Sequence, residues 1–212
     1  MKLENIIFDL GGVIYDIRYE NVAEAFVKHG VTHLGDFYSK KFQTHEMDLF
    51  EMGLITAAEY RDYLRRLAGV ALSDEVLDEI VNAILVDVPA ERVALLRRLR
   101  SRYRVFLFSN TNQINYDYFS AYLKKKFGFD VFAECFDAAY FSQQMHLRKP
   151  AREGFERIVA EQRLDPAATL FIDDIEANLQ GAIAAGIHGC HLASGTILDL
   201  FDEQLNFIGK VQ

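Results

Sequence analysis

Apolar positions along the chain follow two rhythms. Short unbroken apolar runs at 5–8, 105–108, 138–141, 170–172 and 187–192 are bounded by turn-forming residues. Runs of that length predict strands buried on both faces, as in a parallel sheet. Between the later runs the period becomes helical. Val93, Leu95, Leu96 and Leu99 fall near helical spacing over 91–100, and Phe155, Ile158 and Val159 do the same after Pro150. Pro150 stands where a helix can begin, Asp165-Pro166 marks a turn, and Gly186 follows the helical stretch 178–185, which it can close with a left-handed φ. The expected core is a doubly wound, Rossmann-like α/β sheet, mostly parallel.

The stretch between the first two strand runs breaks this alternation. It reads as helix after helix, over 20–29, 35–52, 56–68 and 73–86, with Thr56 and Ser73 as candidate N-caps and no convincing strand. It is too long for one crossover and predicts a separate four-helix bundle inserted after the first strand, placed over one edge of the sheet as a lid. The expected division is an α/β core of residues 1–17 and 88–212 with a helical cap domain of residues 18–87.

Composition narrows the function classes. With 212 residues, one core plus an inserted module is the natural organisation. Half of the residues are hydrophobic and a quarter charged, which is the balance of a soluble globular protein. The formal net charge of -8 repels nucleic acid and anionic membrane, so neither is an expected partner. Lys124, Lys125 and Lys126 read as a solvated face. Cys135 and Cys190 match no metal or redox spacing and suit free thiols. The start Met1-Lys2-Leu3-Glu4 carries no signal peptide, and no run approaches the roughly 18 apolar residues of a membrane span. A cytoplasmic location is the expectation.

Candidate chemistry gathers at strand ends. Phe8 leads into Asp9, Phe108 into Ser109-Asn110, and Ile172 into Asp173-Asp174. Ligands of open parallel sheets bind outside the carboxyl ends of the strands. Any one of these residues has an ordinary explanation as a turn former or helix cap, but three on neighbouring strands converge in one crevice. After Asp9, Leu10-Gly11-Gly12 lets the backbone leave the strand and approach a ligand closely. Asp9 can ligate a hard cation with one oxygen and face an electrophile with the other, provided that Asp173 or Asp174 shares the metal. Two adjacent acids repel unless a cation or donors compensate, and strand alternation sends them in different directions, so one of them reaches the metal directly. Asn178 falls one helical turn beyond Asp174 and is placed to hold a metal-bound water. Ser109 and the Asn110 amide suit an anionic oxygen at an expected helix N-terminus, and Thr111 and Asn112 extend the polar patch. Lys149 can supply positive charge to phosphate and nucleophile alike.

At this point the residues resemble a known family. Asp9 in Phe-Asp-Leu-Gly-Gly-Val resembles motif one of the haloacid dehalogenase (HAD) superfamily, Ser109 in Phe-Ser-Asn-Thr-Asn motif two, Lys149-Pro150 motif three, and Phe-Ile-Asp-Asp at 171–174 motif four. The four-helix insertion resembles the helical type 1 cap of the capped, phosphatase-like members, so the likeness spans essentially the whole chain. It implies that Asp9 is a nucleophile forming an aspartyl-phosphate. It further implies that Mg2+ is held by Asp9, the Gly11 carbonyl and Asp174, and that Ser109, the Asn110 amide and Lys149 bind the phosphoryl group. The implied function is a magnesium-dependent phosphohydrolase of a small phosphorylated metabolite, with sugar phosphates among the candidates.

One position departs from the pattern. Many phosphatases of the family carry a second aspartate two residues after the nucleophile as general acid and base, and here that residue is Gly11. Such help is typically worth about 100- to 10,000-fold. Two alternatives therefore stay open: a protein with impaired catalysis that binds a phosphorylated ligand or partner, and a metal-independent haloacid dehalogenase acting through Asp9. The paired Asp173-Asp174, repulsive without a cation, weighs against the second. The six histidines are scattered, with His188 and His191 on opposite faces of an expected strand, which disfavours a histidine metal site. Tyr15, Asp16 and Arg18, and a helix end at 50–53, are the candidates for substrate choice.

Overall fold

A computed structural model describes residues 2–34 and 44–212. In chain order its elements are β1 (Asn5–Phe8), β2 (Asp16–Ile17), α1 (Glu20–Lys28), α2 (His45–Glu51), α3 (Ala57–Ala68), α4 (Asp74–Asn82), β3 (Leu85–Asp87), α5 (Ala90–Leu99) and β4 (Arg104–Ser109). There follow α6 (Gln113–Phe127), α7 (Val131–Cys135), β5 (Ala138–Phe141), α8 (Ser142–Met145), α9 (Arg152–Gln162), β6 (Thr169–Asp173), α10 (Glu176–Ala184) and β7 (His188–His191).

Five strands form one parallel sheet in the order β5-β4-β1-β6-β7. Their alternation divides the apolar side chains between two cores. Ile6, Phe8, Val105, Leu107, Leu170 and Ile172 face one side, packed with α5 and α6. Ile7, Phe106, Phe108 and Phe171 face the other, packed with α9 and α10. A sheet buried on both faces has no polar side to expose, which is why these strands read as continuous apolar runs. The chain builds outward from β1 on one side through β4 and β5, then on the other through β6 and β7. The crevice at the carboxyl ends of β1, β4 and β6 is thus the reversal point where open α/β sheets hold ligands.

The helices α1 to α4 share a third apolar cluster that includes Phe26, Phe50, Tyr60, Leu64, Leu77 and Ile80. The N-caps expected at Thr56 and Ser73 are present, the first as a capping box with Glu59. Of the helix expected over 35–52, α2 covers His45–Glu51, and residues 35–43 lie outside the described residues. Two expectations are corrected. The helix expected to run to residue 86 ends at Asn82, and Leu85–Asp87 is a strand that pairs antiparallel with Asp16–Ile17. Two or three residues carry almost no periodicity, so this ribbon at the junction of helices and sheet left no pattern to read. It is pinned by Arg92, whose Nη1 donates to Asp16 Oδ1 at 2.6 Å, and by the Tyr122 hydroxyl, which donates to Asp87 Oδ1 at 2.6 Å. Among the described residues, no helix is long and apolar enough to cross a membrane.

Candidate active site

Each strand end delivers one polar group into the same crevice. Asp9 follows β1 and is fixed by its backbone N–H, which donates to Ile172 O at 2.9 Å. Ser109 closes β4, and Asp173 closes β6 with Asp174 next to it. Lys149 reaches in from the loop before α9. Its Nζ, buried between the Phe108 and Phe171 rings, donates to Asp9 Oδ1 at 2.5 Å and to Asp173 Oδ2 at 2.7 Å. All three charged groups are nearly excluded from solvent.

Burial and neighbouring charge together set how Asp9 and Lys149 titrate. Burial pushes the Asp9 carboxyl up to about 7, against the pull of Lys149 and with the push of Asp173. For Lys149, burial lowers the pKa but the attraction of Asp173 and then Asp9 outweighs it, so the ammonium stays charged with its pKa raised. One lysine thus balances a pair of carboxylates while Asp174 stands beside them, which is an excess of negative charge. A further cation in the site would favour ionised Asp9.

Oxygen atoms of Asp9, Asp173 and Asp174 lie within 4.8 Å of one another. Three carboxylates of this kind are hard oxygen donors suited to magnesium. The two adjacent acids have different surroundings. Asp173 accepts from Lys149, from the Ile175 N–H at 2.7 Å, and from Asn178 Nδ2 at 3.1 and 3.0 Å. Asp174 lines the cavity with its carboxyl against Gly12. A Cβ built on Gly12, whose φ is +77°, would come within 2.6 Å of that carboxyl carbon. Gly12 is therefore the glycine that this turn requires; Gly11 has no positive φ, and a Cβ there would meet only the tip of Ile17 at 3.3 Å.

The polar patch after β4 is partly committed to structure. The Asn110 side chain clasps the Lys149 backbone from both sides: its Nδ2 donates to Lys149 O at 3.0 Å, and its Oδ1 accepts from Lys149 N at 2.8 Å. Thr111 N–H donates to Ser142 Oγ at 2.9 Å. The helix N-terminus expected at Ser109-Asn110 lies further on, because α6 begins at Gln113. Asn112 is its N-cap, accepting from Asn115 N–H at 3.0 Å. Asn178, expected to hold a water on the metal, lines the crevice and donates from Nδ2 to both carboxylate oxygens of Asp173. His188 and His191 stay apart from the carboxylates, their rings on the Ala167 and Asp174 carbonyls. Cys135 and Cys190 are free and buried.

The crevice encloses about 330 Å³ and is roofed by the helical layer. That suits a small metabolite. Tyr15, expected near the exit of the first strand, is on its wall. Tyr19, Asn115 and Arg148 line it too and escaped the sequence reading of binding residues, as none stands in a recognisable motif position of its own. Arg148 had the one usable signal, adjacency to Lys149.

The sequence model of the haloacid dehalogenase-like hydrolases matches residues 3–186. A D-ribitol-5-phosphate phosphatase of Bacteroides thetaiotaomicron is 31% identical over 177 residues, covering 84% of this chain and 85% of the relative. Among solved structures, a HAD family enzyme of Bacteroides thetaiotaomicron, crystallised as a variant with magnesium and inorganic phosphate, superposes with a TM-score of 0.83 at 34% identity, over 88% of this chain and 92% of that one. A HAD-like family hydrolase of Porphyromonas gingivalis superposes with a TM-score of 0.79 at 30% identity, over 90% and 91%.

Proposed function

The chain belongs to the haloacid dehalogenase-like hydrolases, and from that premise we propose that it is a magnesium-dependent phosphatase of a small phosphorylated polyol, with Asp9 as nucleophile. The observation that carries this reading is the convergence of Asp9, Lys149, Asp173 and Asp174 at the carboxyl end of the sheet, where Asp9, Lys149 and Asp174 line one crevice.

Asp9, the Gly11 carbonyl and Asp174 would hold magnesium, because Asp174 faces the cavity while the oxygens of Asp173 are taken by Lys149, Ile175 and Asn178. When bound, magnesium supplies positive charge that offsets the negative charge of phosphate and carboxylates. Asp9 then attacks phosphorus, its backbone held by Ile172 and its charge partnered by Lys149. Ser109 and the Asn110 amide take phosphoryl oxygens. The bond from phosphorus to the leaving oxygen breaks as the aspartyl-phosphate forms, that oxygen taking its proton from a water molecule in the crevice because Gly11 has no acid to offer, and water then attacks phosphorus to free phosphate and Asp9. Lys149 remains protonated throughout and serves as fixed positive charge.

Residues 18–87 act as a cap that covers the crevice and excludes bulk water, contributing Tyr19, Met47 and Glu51 to its wall. The wall carries the Glu51 carboxylate, the Asn115 amide and the Tyr15 and Tyr19 rings among apolar side chains, which can receive the hydroxyls and carbon chain of a polyol phosphate, the chemical class named for the Bacteroides relative. The test is a comparison of kcat/KM across D-ribitol 5-phosphate, aldose phosphates, phosphorylated carboxylic acids and p-nitrophenyl phosphate. The open-chain polyol phosphate is expected to rank first by at least tenfold. Preference for an acid phosphate would refute the substrate class and leave the phosphatase reading standing.

A further inference from the structure

We propose that Arg148 is a positioning residue: it fastens α2 of the helical layer to the active site and, through its neighbour Lys149, couples that docking to occupation of the phosphate seat. The inference rests on the phosphatase reading for its ligand but not for its geometry.

Asp48 and Glu51 stand three residues apart on α2, on one helical face. Arg148 forks between them. Its Nη1 donates to Asp48 Oδ1, and its Nη2 lies 2.9 Å from Glu51 Oε2. Arg148 and Glu51 are largely shielded, with side chains 20% and 16% exposed, while Asp48 is 37% exposed at the rim. Neighbouring contacts join the same two segments. His146 Nδ1 lies 2.8 Å from Met52 O, at the open carbonyl end of α2. Gly53, with φ of +64°, brings its backbone so close to the core that a Cβ would sit 2.2 Å from Gln143 O. The end of α2 is thus seated on residues 143–148 by charge, hydrogen bond and shape together.

The next residue along is Lys149. Arg148 points to the helical layer while Lys149 points to Asp9 and Asp173, and Asn110 grips the Lys149 backbone between them. Glu51 and Arg148 are also part of the cavity wall. Two carboxylates on α2 would repel an entering phosphate dianion; the guanidinium neutralises them only while α2 is docked. Docking and phosphate binding therefore favour one another, and by linkage the effect is reciprocal. A planar fork spanning two carboxylates is a task for Arg and not for the single point charge of Lys.

Hydrogen exchange of residues 45–53 with and without inorganic phosphate and magnesium tests this without turnover, in wild type, Arg148→Met, Arg148→Lys and the double variant Asp48→Asn/Glu51→Gln. Phosphate is expected to slow exchange there in wild type, not in Arg148→Met or the double variant, and partially in Arg148→Lys. With D-ribitol 5-phosphate, Arg148→Met should lose roughly 5- to 100-fold in kcat/KM, the range of ordinary coupling. The double variant should lose less, because the carboxylates that repel phosphate are removed with the docking contact, and adding Arg148→Met to it should lose little more. Absence of phosphate protection in wild type, or equal protection in all variants, overturns the proposal. So does a loss of phosphate affinity on Arg148→Met that is as large in the Asp48→Asn/Glu51→Gln background as in wild type, which would put Arg148 on the phosphate directly. If protection behaves as expected while no substrate is hydrolysed, the phosphatase reading fails and the coupling stands.

Discussion

Lys149 is the residue on which the site's electrostatics turn. It is 1% exposed, and its carboxylate partners Asp173 and Asp9 are 0% and 6% exposed. Removing one partner of a buried ionic group typically costs about 3–5 kcal/mol, because the remaining charge is left in a poor solvent. Here the orphaned Asp9 carboxyl, already pushed up to about 7 by burial, can take up a proton, and without Lys149 its folded-state pKa would lie further above the unfolded one. An acid of that kind loses stability as pH rises. Lys149→Met is therefore expected to be inactive, and to show a destabilisation that grows from pH 5 to pH 8 in urea unfolding. A cost independent of pH would show that Lys149 does not favour the charged form of Asp9. At this scale the sequence exposed each chemical group but not its partner. Asp9, Ser109, Lys149 and the acidic pair stand at strand or loop ends, where one-dimensional pattern marks them. Whether Asp173 or Asp174 faces the cavity depended on Asn178 and the Ile175 N–H, two donors whose direction only the turn after β6 sets.

Among the elements, α6 shows how a polar motif can be divided between chemistry and architecture. Ser109 and Asn110 stay in the crevice, whereas the Asn112 side chain caps α6 and donates to Asn115 Oδ1 at 2.7 Å. Asn115 in turn donates to Val81 O and Asn82 Oδ1 at the end of α4. That chain of amides ties the sheet's longest helix to the helical layer. Loss of an N-cap side chain costs about 0.5–2 kcal/mol. Asn112→Ala should lose about that in denaturant unfolding and Asn112→Ser should recover much of it, with KM little changed in both. A KM that rises in both variants while stability holds would make Asn112 a phosphate ligand. Long periodic elements were legible here: the five strands and α1, α3, α5 and α10 lie within a few residues of their expected bounds, and α9 follows Pro150 as expected. The ribbon of β2 and β3 was not, since its register is fixed by Arg92 and Tyr122 from far along the chain and not by its own residues.

For the molecule as a whole, three apolar clusters account for the arrangement: one on each face of the sheet and one within the helical layer. The first two were readable, because a sheet buried on both faces writes itself as apolar runs. The third was readable as a helical tract too long for a crossover. What the sequence left unwritten is the seam between layer and sheet, where Arg148, Asp48, Glu51 and His146 meet across about a hundred residues of chain. A net charge of -8 concentrated partly in the crevice gives the same picture at long range: an anionic protein that takes an anionic substrate needs local positive charge, from Lys149 and a bound cation. The measurement that tests this account most directly is phosphate release from D-ribitol 5-phosphate by wild type and Asp9→Asn, each with magnesium and with chelator. Turnover is expected only in wild type with magnesium. Equal turnover in Asp9→Asn, or in the presence of chelator, would contradict it.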